Sequence, residues 1–161
     1  MSACLDKKCF QSALILALCA IDQLAWLSLS EEREVTSQDF ISWTNRYVVS
    51  ESSLDCTSED LYGARCGLVH SLTAESRLAK QGKATPIAYS WGNQPPYPRA
   101  DLKKYGMNWI MLHIETLCKT VEEGAFRFWR DVESDPIKLA LVNRKVVKLF
   151  QPDTTLPQAL L

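Results

Sequence analysis

The run ALILALCAI (13–21) constrains this chain most, because it lies inside a longer helical pattern. Phe10, Leu14, Ala17, Ile21, Leu24 and Leu27 (or Ser28) recur at steps of three and four. That spacing places them on one face of a helix, predicted over 5–29. Such a face has to be buried against other elements, so it calls for a helical partner layer rather than an isolated segment. Lys7 and Lys8 before the run give it the look of a signal peptide, and LALC (16–19) resembles a lipoprotein box. Leu18 is too bulky for the position before a processed cysteine, and Gln11, Asp22 and Gln23 continue the helical pattern. No stretch reaches about 18 uninterrupted apolar residues. We therefore expect no membrane span and a cytoplasmic location. Asp22 breaks the apolar surface, and the simplest expectation for it is an exposed charge.

The same periodicity continues downstream. Thr36 or Ser37 is expected to cap a second helix over roughly 38–50, bearing Phe40, Ile41, Trp43, Tyr47 and Val48. Thr57 caps a third over about 58–72, with Glu59 and Asp60 in its first turn, where acidic groups meet the positive end of the helix dipole. The segment 73–86 is polar and basic and is expected to be a loop. PIAYSWG (86–92) suits an extended segment, and NQPPYPR (93–99) cannot be helical throughout. A long helix is predicted over about 100–133, bent near Gly106 and kinked near Gly124. IKLALVNRKVVKLF (137–150) is either a last helix or, given its β-branched content, a hairpin. The tail 151–161 is expected to be loosely ordered. The fold expected is a single all-α domain over 1–161, a bundle of four to six helices with one long irregular connection.

Charge and cysteine content narrow the function. Eighteen basic and nineteen acidic residues leave a net charge near −1, which argues against a dedicated duplex-DNA binder. The six cysteines form no CxxC pair, and neither His70 nor His113 has zinc-type spacing. We expect a reduced protein with no metal and no cofactor; Asp22 and Asp60, on different helices, are not expected to be metal ligands. There is no phosphate-binding glycine loop and no GxSxG or HExxH motif.

ARCGLVH (64–70) is the stretch that calls for a function. Arg65 shares a stripe with Leu61, Leu68 and Leu72, and a guanidinium there must reach water, a carboxylate or an anionic ligand. Gly63 and Gly67 each cost a helix about 1 kcal/mol relative to alanine. Their shared face suggests close approach of a partner backbone, which points to a dimer interface. Arg65 and His70 lie roughly 140° apart on an ideal helix. They converge on one point only if the helix unwinds, the arginine bends back, or a second subunit contributes. Otherwise the pair is a snorkelling arginine beside a core histidine.

Arg65 and His70, separated by Cys66-Gly67-Leu68-Val69 on the third main helix, resemble the Arg-x4-His motif of the HEPN superfamily. The first helix, with Ala20-Ile21-Asp22-Gln23-Leu24, is also similar to that family's first helix. The resemblance spans roughly residues 5–130, and only the motif is specific. It implies a HEPN-like helical bundle, a homodimer and a metal-independent endoribonuclease, of the kind found in toxin–antitoxin and RNA-processing systems. Arg65 would bind the scissile phosphate and His70 would move protons. Ser71, Arg77, Lys80 and Lys83 would contact RNA, and an antitoxin or another protein is a possible partner. Tyr89, Trp91, Tyr97 and Tyr105 offer stacking faces, or else pack beneath the proline-rich loop. His113 is expected to be a core or interface histidine. Cys66 departs from the family's usual Asn, Asp or His at that position. The rival expectation is therefore an inactive HEPN-like module that binds a protein or a nucleotide.

Overall fold

In the computed structural model, residues 1–31, 33–71 and 76–149 are described; for 69–71 and 148–149 this extends to the backbone alone. The predicted first helix is two. α1 (Ser2–Asp6) and α2 (Phe10–Ser28) are separated by a turn in which Lys8 takes a positive φ of 57° and the Cys9 N–H bonds back to the Cys4 carbonyl. A left-handed residue cannot continue a right-handed helix, so the pattern breaks there. α2 is the central helix: Ala13, Leu14, Ala17, Leu18, Ile21 and Ala25 are buried. By length and composition alone it could cross a membrane, with a mean hydropathy of 1.6. Here that apolar character is buried against later helices of the same chain.

α3 (Ser37–Thr44) starts at a capping box: Thr36 accepts from the Asp39 N–H, and the Asp39 carboxylate accepts from the Thr36 N–H. It then widens into a π-turn, Asn45–Val49, which closes when Ser50 N–H donates to the Asn45 carbonyl. The widened turn presents the Tyr47 carbonyl sideways. Arg127 donates to it from Nε at 3.1 Å and Nη2 at 2.6 Å. The rings of Trp43, Tyr47 and Phe128 meet with centroids 5.2 to 6.0 Å apart.

α4 (Ser58–Ser71) has its own box, with Asp60 N–H donating to Thr57 Oγ1 and Thr57 N–H donating to Asp60 Oδ2. The buried Asp60 also accepts from the Thr85 N–H, so its carboxylate is a structural clip between α4 and the chain after α5. The stretch expected to be a loop contains the short helix α5 (Arg77–Lys80), capped by buried Ser76.

The largest correction falls on 100–133, which is three elements. α6 (Arg99–Lys104) ends at Gly106, whose φ of +74° stops the helix. Residues 110–113 then form β2 (Ile110–His113), parallel to β1 (Ile87–Ser90), with Ile87 opposite Ile110 and Ser90 opposite His113. Ile110 and Leu112 are buried whereas Met111 and His113 are half-buried, a period of two that helical counting absorbs into its own stripe. α7 (Ile114–Glu133) begins directly after the strand and packs along α2, and Cys118 Sγ there donates to the Ala13 carbonyl. α7 is unbroken at Gly124; a Cβ there would lie 2.8 Å from the Tyr47 carbonyl oxygen, so the glycine permits close packing and not a kink.

The last amphipathic stretch is a helix, α8 (Pro136–Leu149), and not a hairpin. From it the wholly buried Lys145 donates to the carbonyls of Trp26 and Leu29 at the end of α2. A lysine at a helix C-terminus satisfies orphan carbonyls and the negative end of the dipole together. The fold is thus mostly helical, with a small two-stranded parallel sheet. The tail 151–161 lies outside the described residues.

Candidate functional site

Asp22 and Arg65 each interrupt an otherwise apolar stripe, and the two stripes face each other. Arg65 Nε donates to Asp22 Oδ2 at 2.8 Å, joining the middle of α4 to the middle of α2. Both side chains are about one-fifth exposed, 23% for Arg65 and 21% for Asp22. Burial works against the Arg65 charge, but the hydrogen bond and charge of Asp22 outweigh it and hold the guanidinium above its ordinary value. Of the three fates open to a guanidinium on that stripe, this one meets a carboxylate. Asp22 is accordingly not a free surface charge.

The pair lies in an open cleft of about 700 Å³, with Gln23, Trp26, Arg33, Glu34 and Val35. Arg33 is held in place by Asp39, to which it donates from Nη1 at 2.6 Å and Nη2 at 2.8 Å. That fork, with Thr36, holds the Asp39 carboxyl far below the usual carboxylate range. Asp39 therefore caps α3 and fixes Arg33 at once. Arg33 and Arg65 balance Asp22 and Glu34, so the cleft walls carry no excess of positive charge.

Comparisons with protein-family models, with curated proteins and with solved structures give no match.

His70 and Ser71 close α4, but their side chains lie outside the described residues, so the direction in which His70 points is not assigned. Cys66 is half-buried and interacts with Tyr62, one turn earlier; burial first, then Cys66, raises the Tyr62 phenol above its usual value. Gly63 is buried within its own chain: a Cβ there would lie 2.8 Å from Ala84 Cβ and 3.4 Å from Ser76 Oγ. That close approach is made within the chain, by the residue that caps α5 and by the segment between α5 and β1, so Gly63 by itself gives no argument for a dimer. Gly67 is buried as well.

Arg77, Lys80 and Lys83 are exposed on and after α5. Of the proposed stacking rings, Tyr89 drops out: its hydroxyl is buried, and burial pushes the phenol far up. Trp91, Tyr97 and Tyr105 are exposed. His113 is half-buried at the end of β2, with Nε2 3.0 Å from the Gly92 carbonyl and Nδ1 3.3 Å from Glu115 Oε2. It pins the loop after β1 and does not lie in the core.

The Asp22–Arg65 pairing was the feature missed in sequence. Its signal was there: two opposite charges, each alone on an apolar face, on helices predicted to pack together.

Proposed function

We propose that this chain is a HEPN-like, metal-independent endoribonuclease of the cytoplasm, acting as a homodimer, with Arg65 and His70 as its working pair. The observation that carries the reading is the setting of Arg65. It stands in an open cleft, oriented from the neighbouring helix by Asp22, on the same helix as His70 and five residues before it. Orienting a guanidinium beforehand lowers the cost of aiming it at a phosphate.

Cleavage of RNA without metal requires a base for the 2′-hydroxyl, an acid for the departing 5′-oxygen and donors for the charged phosphorane. In this reading His70, whose residue type titrates near neutrality, moves the protons. Arg65 follows the growing charge on the phosphoryl oxygens. One imidazole serves poorly as base and acid within a single turnover. Two copies of the motif across a two-fold axis supply both and also overcome the angular separation of Arg65 and His70. The product is a 2′,3′-cyclic phosphate.

A second reading is favoured by two particular observations. The charges lining the cleft balance, and Cys66 holds the position where the family usually has a stronger hydrogen-bonder. In that case the same face serves an inactive HEPN-like module that binds a protein or nucleotide partner, such as an antitoxin. Incubation of the protein with total RNA in EDTA decides between the two. The nuclease reading requires cyclic-phosphate ends, their loss in His70→Ala and Arg65→Ala, and poor rescue by Arg65→Lys. Intact RNA after incubation with folded, dimeric protein hands the site to the second reading.

A further inference from the structure

The charge of this chain is not spread evenly. Residues 76–113 hold six basic side chains, Arg77, Lys80, Lys83, Arg99, Lys103 and Lys104, against one acidic side chain, Asp101. That segment carries +5 in a chain of net −1, so the remainder carries −6. The structure folds it into one neighbourhood. Arg99 Nη2 donates to Thr85 Oγ1 at 3.2 Å, joining the start of α6 to the residues just after Lys83. The Tyr97 N–H donates to Met111 Sδ at 3.3 Å, which lays the proline-rich loop across the outer side of β2. Lys104 is paired with Asp101, and Arg77, Lys80, Lys83 and Lys103 are exposed.

The same neighbourhood exposes aromatic rings. Tyr97 is 65% exposed, Tyr105 79% and Trp91 45%. Trp91 is also held in place, stacked on Phe10 with centroids 6.1 Å apart and planes 27° apart. Tyr97 lies between prolines that stiffen its backbone. Exposed aromatic rings among cations that make no ion pair with a described residue are the pairing that a single-stranded nucleic acid requires: phosphates for the cations, unstacked bases for the rings. A duplex would satisfy the cations and leave the rings idle. An anionic membrane fits less well, because α5 and α6 are too short to present an amphipathic face.

We propose that the face built by α5, the proline-rich loop and α6 binds single-stranded nucleic acid, with Lys80, Lys83 and Lys103 on the backbone and Tyr97 and Tyr105 stacked on bases. It deepens the nuclease reading by naming the form of its substrate and where that substrate is held. An uncleavable probe keeps the two apart.

The experiment is fluorescence anisotropy of the full chain with labelled oligo(dT) of 20 nucleotides, which has no 2′-hydroxyl to attack. Expected is binding at least ten-fold tighter to the single strand than to a duplex of equal length. Tyr97→Ala and Tyr105→Ala should each weaken it about 5- to 150-fold, the range for loss of one stacked base. Tyr97→Phe should retain it, since the ring and not the hydroxyl stacks. Lys80→Gln with Lys83→Gln should flatten the salt slope by about 1.4, for two phosphates at about 0.7 each. All four positions are exposed, so circular dichroism and the melting midpoint should match wild type. The proposal is overturned by no binding at tens of micromolar, by equal affinity for duplex, or by variants that bind like wild type. Co-sedimentation with phosphatidylserine vesicles without oligonucleotide binding would assign the face to a membrane instead.

Discussion

Replacing Gly124 by alanine sets two opposed effects against each other, and the structure says which one wins. In an unencumbered helix the change is favourable by about 1 kcal/mol, because alanine is the better helix former. In α7 the new Cβ would lie 2.8 Å from the Tyr47 carbonyl oxygen and 3.1 Å from Val48 Cγ2. The nearer neighbour is backbone, and Arg127 already holds it through two donors. It can retreat only by opening that fork. Overpacking of this kind costs about 1 to 3 kcal/mol. Weakening a hydrogen bond to a charged donor costs about 1.5 to 3 kcal/mol if the bond is lost outright. With the propensity gain subtracted, Gly124→Ala should destabilise by about 1 to 3 kcal/mol. For a chain of this length that is a fall of roughly 2 to 12 °C in the melting midpoint. Urea unfolding followed by circular dichroism would measure it, with Ala at exposed Glu123 as the control for propensity, expected within about 0.5 kcal/mol of wild type. A Gly124→Ala protein as stable as wild type, or more so, would refute the reasoning. It would mean that α7 and the π-turn part easily and that propensity governs the position.

Other expectations are more local. A double-mutant cycle with Asp22→Asn and Arg65→Gln should return a coupling of about 1 to 2 kcal/mol in chemical denaturation, because both side chains are largely shielded; a coupling below about 0.3 would mean that Asp22 does not hold Arg65. Lys145→Met removes the donor to two α2 carbonyls and should destabilise by about 2 to 4 kcal/mol by the same measurement, the loss of a buried charged donor, with a neutral result showing that water replaces the ammonium. Asp39 has its carboxyl lowered by Arg33, so its stabilisation is present above the unfolded carboxylate value near 4 and is lost as pH falls towards the lower folded value. Asp39→Asn should therefore be less stable than wild type at pH 7, and the gap should narrow below about pH 4; a gap constant with pH would place the effect in packing instead.

The helices legible in the sequence were those with a strong stripe and a chemical start. The third helix was bounded by Thr57 and Asp60, and it begins at Ser58 as expected. α8 kept its helical register despite its valines. The failures share one cause: short-range geometry that side-chain periodicity does not encode. Ile110, Ile114 and Leu117 fall on one helical stripe, which hides the alternation of Ile110 and Leu112, and only the parallel partner at 87–90 makes that alternation decisive. Lys8 broke the first helix by a left-handed turn that no glycine announced. At the site, Arg65 was singled out because it was misplaced on an apolar face. Its partner was noted for the same reason and left unpaired, because nothing in one sequence sets the rotation of α4 about α2. Gly63 was read correctly as a close approach, and the backbone that approaches it belongs to the same chain, since Ala84 lies against it.

The capping of α2 by Lys145 has a consequence for the order in which this protein can be completed. α2 leaves the ribosome well before α8, and the residue that closes its end is 116 positions beyond Leu29 and 119 beyond Trp26. At about 5 to 20 residues per second, synthesis takes several seconds to cover that distance. For most of the interval this apolar helix has an unfinished terminus and no α7 to cover it, and until its end no α8. The nascent protein is most exposed to misassociation while α2 has emerged and α7 and α8 have not. A slowing of translation between residues 30 and 145 would lengthen that exposure without changing a single contact of the finished fold.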